Sequence, residues 1–239
     1  MSREIEDPRR EFLVRALGLG LFAGGASGIL GISDALALTP GVLPAGRSVY
    51  RLEGDVWVDG KAANISSVIE TGSTVKTGDN GMIIFVVGSD AFILRANSEL
   101  QLSGSGMLIS FMRLVTGRLL SVFGKREETH RITTLTATIG IRGTGIYVES
   151  DPEKSYVCTC YGHTLISSNE QSDAWKEVMT HHHDNPLYVL AGKTGEVIRP
   201  APFINHTDSE LALIEELVGR APPFAFSNDI YRAPRRRNY

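Results

Sequence analysis

Residues 136–162, with the sequence TATIGIRGTGIYVESDPEKSYVCTCYG, decide the fold of this chain. Their many β-branched and aromatic residues favour two strands. Glycines within residues 140–145 break the run into a bend, because glycine adopts bent conformations at the least steric cost. The second strand carries both cysteines of the chain, Cys158 and Cys160. Side chains alternate along a strand, so the two thiols are predicted to project from one face.

Short strand patterns and turns extend from residue 48 to residue 168. Asp59-Gly60 stands between two strand patterns and predicts a hairpin. The apolar run at residues 82–87 predicts a strand that is buried on both faces. Turn signals recur without a long helical period, which is typical of all-β proteins. We therefore predict an all-β domain over residues 48–168.

Residues 169–239 are predicted to form a C-terminal extension of different character. The pattern from Thr207 to Glu210 is a capping box, which marks the start of a helix. The predicted elements are a hairpin of residues 187–190 and 195–198, a helix over residues 208–218, and an extended strap at residues 222–226. We expect the extension to cap an exposed end of the sheet; a partner-binding tail is the alternative.

The first 37 residues have the pattern of an export signal. Arg9 and Arg10 precede an uncharged run, and the small residues at positions 35 and 37 suit a signal peptidase. The run Arg9-Arg10-x-Phe12-Leu13 resembles the core of a twin-arginine signal. These patterns predict a periplasmic protein. The alternative is an inner-membrane anchor, although the apolar run is near the lower length limit for a bilayer span.

The net charge argues against nucleic-acid binding, and the cysteine content argues against a disulfide-stabilised fold. The formal net charge is -3, so the field of the whole chain does not attract nucleic acid. The basic run at residues 235–237 is expected to be a solvated tail, with contact to an anionic surface as the alternative. Two cysteines cannot make a disulfide framework, so the fold must depend on its core.

Several short motifs between residues 48 and 168 resemble a FecR-like domain in their order and spacing. They are Leu52-Glu53-Gly54-Asp55-Val56, Asp59-Gly60, Val75-Lys76-Thr77-Gly78-Asp79, Gly88-Ser89-Asp90, residues 114–120 and, most specifically, residues 138–148 with the sequence TIGIRGTGIYV. The resemblance implies an all-β periplasmic module with a twisted solenoid-like or sandwich structure. Arg142 and Thr144 in the last motif are expected to hold a tight bend.

The best-known members of that family relay iron-siderophore status from an outer-membrane receptor to a sigma factor. Their sigma-factor-binding domain precedes the membrane segment. Here only residues 1–15 precede the apolar run, which is too short for such a domain. The fold and the compartment of the family are therefore expected for this chain, and its regulatory role is not.

A candidate metal site combines Cys158 and Cys160 with His181 and His183. If the histidine run is extended, the two histidines share a face, as the cysteines do on their strand. Two thiolates and two imidazoles suit Zn²⁺ or Cu(I). His163 and Asp184 are candidate secondary partners or substitute ligands. Two alternatives remain: buried, inert cysteines, and a thiol-redox pair.

No catalytic pattern accompanies these residues. The chain has no nucleophile elbow, and its glycines lack the spacing of a phosphate loop. We therefore expect a non-enzymatic exported module for binding, scaffolding or signalling at the cell envelope, with an envelope protein or a glycan as partner. The alternatives are a metal-binding or metal-sensing protein and a membrane-anchored signalling component.

Overall fold

The computed structural model describes residues 41–126 and 130–226, without the side chains of Ala225 and Phe226. The predicted export signal at residues 1–37 and the basic run at residues 235–237 lie outside the described residues. In the part of the chain that the structure describes, no helix is both long and apolar enough to cross a membrane.

The described residues form fourteen strands, one α-helix and one 3₁₀ turn. The strands are β1 (Val49–Glu53), β2 (Val56–Val58), β3 (Lys61–Ala62), β4 (Thr74–Thr77), β5 (Met82–Val87), β6 (Asp90–Leu94), β7 (Glu99–Ser105), β8 (Leu108–Val122), β9 (His130–Thr133), β10 (Ala137–Ser150), β11 (Lys154–Ser168), β12 (Trp175–Thr180), β13 (Leu187–Leu190) and β14 (Ile198–Pro200). The helix α1 is Asp208–Leu217, and the 3₁₀ turn is Pro223–Phe226. The chain is therefore all-β with one short helix, as the sequence predicts.

All fourteen strands belong to one hydrogen-bonded sheet. The pairing is antiparallel throughout, except that β8 and β9 run parallel over three residue pairs. The predicted hairpin at Asp59-Gly60 is confirmed, since it connects β2 to β3 and both residues have positive φ, 51° and 77°. Both β12 and β13 pair with β11, so strands on either side of residue 168 join the same sheet.

The glycines of residues 140–145 do not end a strand. β10 continues through them and pairs with β11 on both sides, with two register shifts between Arg142 and Ile146. The predicted bend is therefore a pair of β-bulges, and the turn between the strands lies at residues 151–153. Gly143 adopts a left-handed conformation with φ 57°. At Gly145 a Cβ would lie 2.4 Å from Cε1 of Tyr161, so only glycine fits there.

The two bulges invert the faces of β10 and β11. The pairing of the two strands has the same offset before and after the bulges, so the ladder stays in register. Ile141 and Ile146 nevertheless both face the main core, although they are an odd number of residues apart. On β11, Ile166 and Val157 likewise both face the main core, although they are also an odd number of residues apart. Each bulge adds one residue to its strand, which reverses the alternation of side chains.

The main core covers one face of the sheet, and a second apolar cluster lies on the opposite face. β5 serves both, because Ile83 and Phe85 belong to the main core and Ile84 to the second cluster. The predicted burial of residues 82–87 on both faces is thus confirmed at its centre. Leu211, Ile214 and other residues of α1 complete the second cluster.

The C-terminal elements lie close to their predicted positions. The capping box is confirmed: the Thr207 side chain accepts from the Glu210 backbone N–H, and the Glu210 carboxylate accepts from the Thr207 N–H. β13 and β14 form the predicted hairpin, although the second strand begins only at Ile198. The predicted extended strap is wrong in part, because residues 223–226 form a 3₁₀ turn. The fixed φ of Pro223 is compatible with a 3₁₀ turn as well as with an extended strap.

The face opposite the main core is divided into two parts. We call the part beneath α1 the covered half; its strand residues include Ile84, Ile93, Leu120, Val122, Tyr147, Tyr156, Cys158 and Cys160. We call the part on β8–β12 beyond the bulges the bare half; its residues include Phe111, Arg131, Arg142, His163, Leu165 and Trp175. The bulges mark the boundary between the two halves.

Candidate metal centre

Cys158 and Cys160 lie on β11 and face the covered half, as the sequence predicts. Both side chains are fully buried, and both thiols are free. The second bulge lies between Tyr161 and Thr159, so Cys160 is the extra residue opposite β10. The bulge brings Cys160 and Tyr161 to the same face of the sheet. Such irregularity in a strand is common beside functional sites.

His183 reaches the cysteines from the loop between β12 and β13. Its backbone N–H donates to the carbonyl of Cys160 at 2.9 Å, and its φ of 53° bends the loop. The histidine run is therefore not extended, and its alternate residues do not share a face. His181 is exposed and is not a member of the cluster. The structure thus brings together three of the four predicted ligands and leaves His181 outside.

His206 takes the fourth position. It lies immediately before Thr207, the residue that caps α1. Its ring stacks on Tyr147 with 4.5 Å between centroids, and its Nδ1 lies 2.7 Å from the carbonyl oxygen of Ile204. The sequence analysis missed His206. The only local signal was a histidine directly before a capping box, which says nothing about where the helix docks.

The four ligand atoms are close enough together to share one metal ion. All of them lie within 4.8 Å of one another. Sγ of Cys158 is 3.6 Å from Nδ1 of His183, and Sγ of Cys160 is 3.4 Å from Nε2 of His206. The two histidine nitrogens are 3.2 Å apart. Ligand atoms around a tetrahedral Zn²⁺ with bonds of about 2.0–2.3 Å lie about 3.3–3.8 Å apart. The three separations of 3.2–3.6 Å are close to these values, and the other ligand atoms lie within 4.8 Å of one another.

Both histidines are oriented by a hydrogen bond at their other ring nitrogen. Nε2 of His183 lies 2.7 Å from a carboxylate oxygen of Asp208 and can donate to it. Nδ1 of His206 can donate to the Ile204 carbonyl. Each bond leaves a lone pair on the nitrogen that faces the cysteines, which is the arrangement of metal-binding histidines. Asp208 is the first residue of α1, where the helix dipole stabilises a carboxylate.

His182 extends this network without joining the four ligand atoms. Its Nε2 lies 2.8 Å from the second carboxylate oxygen of Asp208. His182, His183 and Asp208 thus form an adjacent acid–histidine group. The predicted secondary partners have other roles: Asp184 accepts from the Thr180 hydroxyl, and His163 pairs with Glu177 on the bare half.

The protonation of the cluster follows from its burial and its hydrogen bonds. Burial raises the pKa of both thiols. For Cys158, hydrogen bonds from Cys160, His183 and His206 outweigh burial and hold the pKa well below its usual value. For Cys160, burial and the neighbouring Cys158 thiolate together raise the pKa. The two thiols thus differ in acidity, and Cys158 is the more acidic of the pair.

The histidine and the carboxylate complete the charge pattern. Burial lowers the pKa of His183, but the hydrogen bonds to Asp208 and Cys158 outweigh it and raise the pKa to about 9. Burial raises the pKa of Asp208, but the hydrogen bonds from His182 and His183 outweigh it and lower the pKa to about 2. The cluster thus favours positive charge on His183 and negative charge on Cys158 and Asp208.

Aromatic side chains enclose the site. Phe203 packs against the rings of His183 and His206, each at 4.5 Å between centroids. Phe224, in the 3₁₀ turn, packs against His182 at 4.6 Å. Surroundings of this kind exclude water and strengthen the electrostatic interactions inside them.

The comparisons with known proteins give little further guidance. No family model matches this chain, and no curated protein matches it. Two crystal structures of a protein from Parabacteroides distasonis, provisionally described as an anti-sigma factor, match with TM-scores of 0.44 and 0.43. Each is 11% identical, and the match covers 54% of this chain and 58% of theirs. A likeness this distant carries no argument about function, so the FecR-like resemblance remains a prediction.

Proposed function

We propose that this chain is a non-enzymatic metal-binding protein, with Cys158, Cys160, His183 and His206 as the ligands. The observation that carries the proposal is the convergence of two thiols and two imidazoles within 4.8 Å of one another in a buried site. The hydrogen bonds from Asp208 and the Ile204 carbonyl support it, because they leave the correct nitrogens free.

The charge of the site favours Zn²⁺ over Cu(I). Two thiolates and two neutral imidazoles around Zn²⁺ make a neutral centre, whereas Cu(I) would leave one negative charge. A buried net charge is costly in apolar surroundings. Asp208 already contributes a negative charge beside the ligands, and a second one would repel it. Binding of Zn²⁺ would release the protons of Cys160 and His183, so the affinity should fall at low pH.

Four protein ligands favour a structural or sensing role over catalysis. Catalytic zinc sites keep one position open for water or substrate, and structural sites do not. The ligands come from three separate parts of the chain: β11, the loop after β12, and the residue before α1. A bound ion would therefore tie α1 to the sheet. We infer that metal binding controls how firmly the C-terminal helix is held.

Export remains part of the proposal. The pattern of residues 1–37 supports delivery to the periplasm. A twin-arginine signal would suit the metal site, since that route moves proteins that have already folded and can already carry a cofactor.

Metal analysis of the purified protein tests the function. We expect close to one equivalent of zinc per chain, and Co²⁺ substitution should give the absorption of a tetrahedral thiolate site. Cys158→Ser and His206→Ala should each lose most of the metal. His181→Ala is the matched control, because it removes a neighbouring histidine outside the cluster, and it should keep the metal.

Three results would overturn the assignment. One is a metal content below about a tenth of an equivalent after growth and refolding with zinc. Another is equal loss of metal in His181→Ala and His206→Ala. The third is a disulfide between Cys158 and Cys160 in the protein as isolated, which would support a thiol-redox role instead.

A further inference from the structure

A groove crosses the bare half of the sheet, on the far side of the bulges from the metal centre. Its volume is about 630 Å³, within the range of small-molecule sites. The lining residues come from β8, β9, β10 and β11 and combine basic, hydroxyl and apolar side chains: Phe111, Arg131, Thr138, Arg142, Leu165 and Ser167. The metal centre uses none of them.

Two arginines flank the floor of the groove. Gly140 pairs with Arg131 on one side and with Leu165 on the other. Arg142 is two residues further along β10, so it projects from the same face as Gly140. Diagonal neighbours on a sheet lie about 7–8 Å apart, within reach of two long side chains for one ligand. Gly140, which lies opposite Arg131 and two residues before Arg142, adds no side chain to the groove.

The charge of the groove is positive, although the chain as a whole is acidic. Arg131 and Arg142 are exposed, and neither has a carboxylate partner among residues 41–126 and 130–226. His163 pairs with Glu177, with 2.6 Å between Nε2 and the carboxylate oxygen. Guanidinium groups bind carboxylates and phosphates in a bidentate manner, so this arrangement fits an anion.

We propose that the groove binds an acidic saccharide, with a sugar carboxylate or phosphate between Arg131 and Arg142. Phe111 and Leu165 offer apolar contact for a sugar ring. The hydroxyls of Thr138 and Ser167 donate to Asn169 and to the Thr138 carbonyl, so their oxygens can accept from sugar hydroxyls. The groove volume of about 630 Å³ is that of a small-molecule site rather than of a protein–protein interface. The size therefore favours a saccharide over a protein.

Calorimetric titration with a trisaccharide of galacturonic acid tests this assignment. Binding is expected for the wild-type chain and should weaken with added salt. A neutral galactose trisaccharide should bind at least about tenfold more weakly, because it makes no charged hydrogen bonds. The double variant Arg131→Ala/Arg142→Ala should lose at least about tenfold in affinity. Arg118→Ala, which removes an exposed arginine outside the groove, should bind as the wild type does.

A second variant tests the floor of the groove. Gly140 is not among the residues with positive φ, and valine suits a strand, so Gly140→Val should fold and block the ligand. Metal content serves as the fold control for each variant, since the metal centre lies on the other half. Equal affinity for the acidic and the neutral trisaccharide would overturn the proposal. So would tighter binding of triglutamate than of the saccharide, or no saccharide binding by correctly folded protein.

Discussion

The covered half and the bare half belong to the same face of one sheet, yet they differ in almost every physical property. Beneath α1 the face is apolar and buried, and its polar groups are joined in a closed network around Cys158 and His183. Beyond the bulges β9, β11 and β12 expose Arg131, Leu165 and Trp175. A face of a sheet is thus not one surface. What covers it decides whether its residues stabilise the fold or remain free to meet a ligand.

The largest expected difference between the halves is their response to metal. A chelator should lower the free energy of unfolding by about 4 kcal/mol relative to protein at a zinc concentration about 1,000 times Kd. Hydrogen exchange should increase in α1 and change little in β9, because the ligands tie α1 to the sheet. Urea unfolding and exchange measured by mass spectrometry test this. Equal changes in β9 and α1 would show that the halves respond as one unit.

The packing of α1 gives the next largest effect. Leu211 is fully buried in the second cluster, and Leu211→Ala should cost about 3 kcal/mol in the free energy of unfolding. Leu165 on the bare half is 47% exposed, so the same substitution there should cost less than about 0.5 kcal/mol. Urea denaturation of the two variants provides a matched pair. Similar losses at both positions would mean that the bare half is covered in solution.

The boundary itself can be tested through its glycines. Gly145→Ala places a methyl group against the Tyr161 ring and should cost about 2 kcal/mol, because neither backbone can move without disturbing the bulges. Gly72→Ala is the control, since a Cβ there meets nothing within 4 Å. Thermal unfolding of both variants measures the difference. A Gly145→Ala protein as stable as the control would show that Tyr161 can turn away.

The smallest effect concerns acid stability without metal. The pKa of Asp208 is lowered to about 2 by its histidine partners, so its contribution is present above its ordinary pKa of 3.8 and is lost as the pH falls towards 2. After allowance for solvent screening we expect about 1 kcal/mol. Metal-free wild type should lose this amount between pH 4 and pH 2, and Asp208→Asn should not. Parallel pH profiles of the two proteins would contradict the role of Asp208.

Most of the local structure could be predicted from the sequence, because it depends on neighbours in the chain. The hairpin at Asp59-Gly60 and the helix start at Thr207 are set by turn and capping chemistry within four residues. The burial of β5 on both faces could likewise be predicted from its uninterrupted apolar run. The 3₁₀ turn at Pro223 was missed because proline restricts φ without choosing between an extended strap and a turn.

The candidate site was harder to predict, because three separate segments build it. Alternation along β11 was enough to place Cys158 and Cys160 on one face. His206 follows Cys160 by 46 residues, with β12, β13 and β14 between them, and only the docking of α1 brings it close. His181 was included on the assumption of an extended run, which the positive φ of His183 breaks. Tertiary packing, rather than local preference, decided both positions.

The paired bulges give β10 and β11 a property that uniform strands lack. In an uninterrupted pair of strands, the side chains at odd positions would point to one face along the whole length, and those at even positions to the other. Here the odd and even positions exchange faces of the sheet at Gly143–Gly145 and at Cys160. The pairing register of the two strands is the same on both sides of the bulges. The 27 residues 136–162 therefore contribute to two separate surfaces. Side chains of either surface can be substituted without changing the strand register of the other.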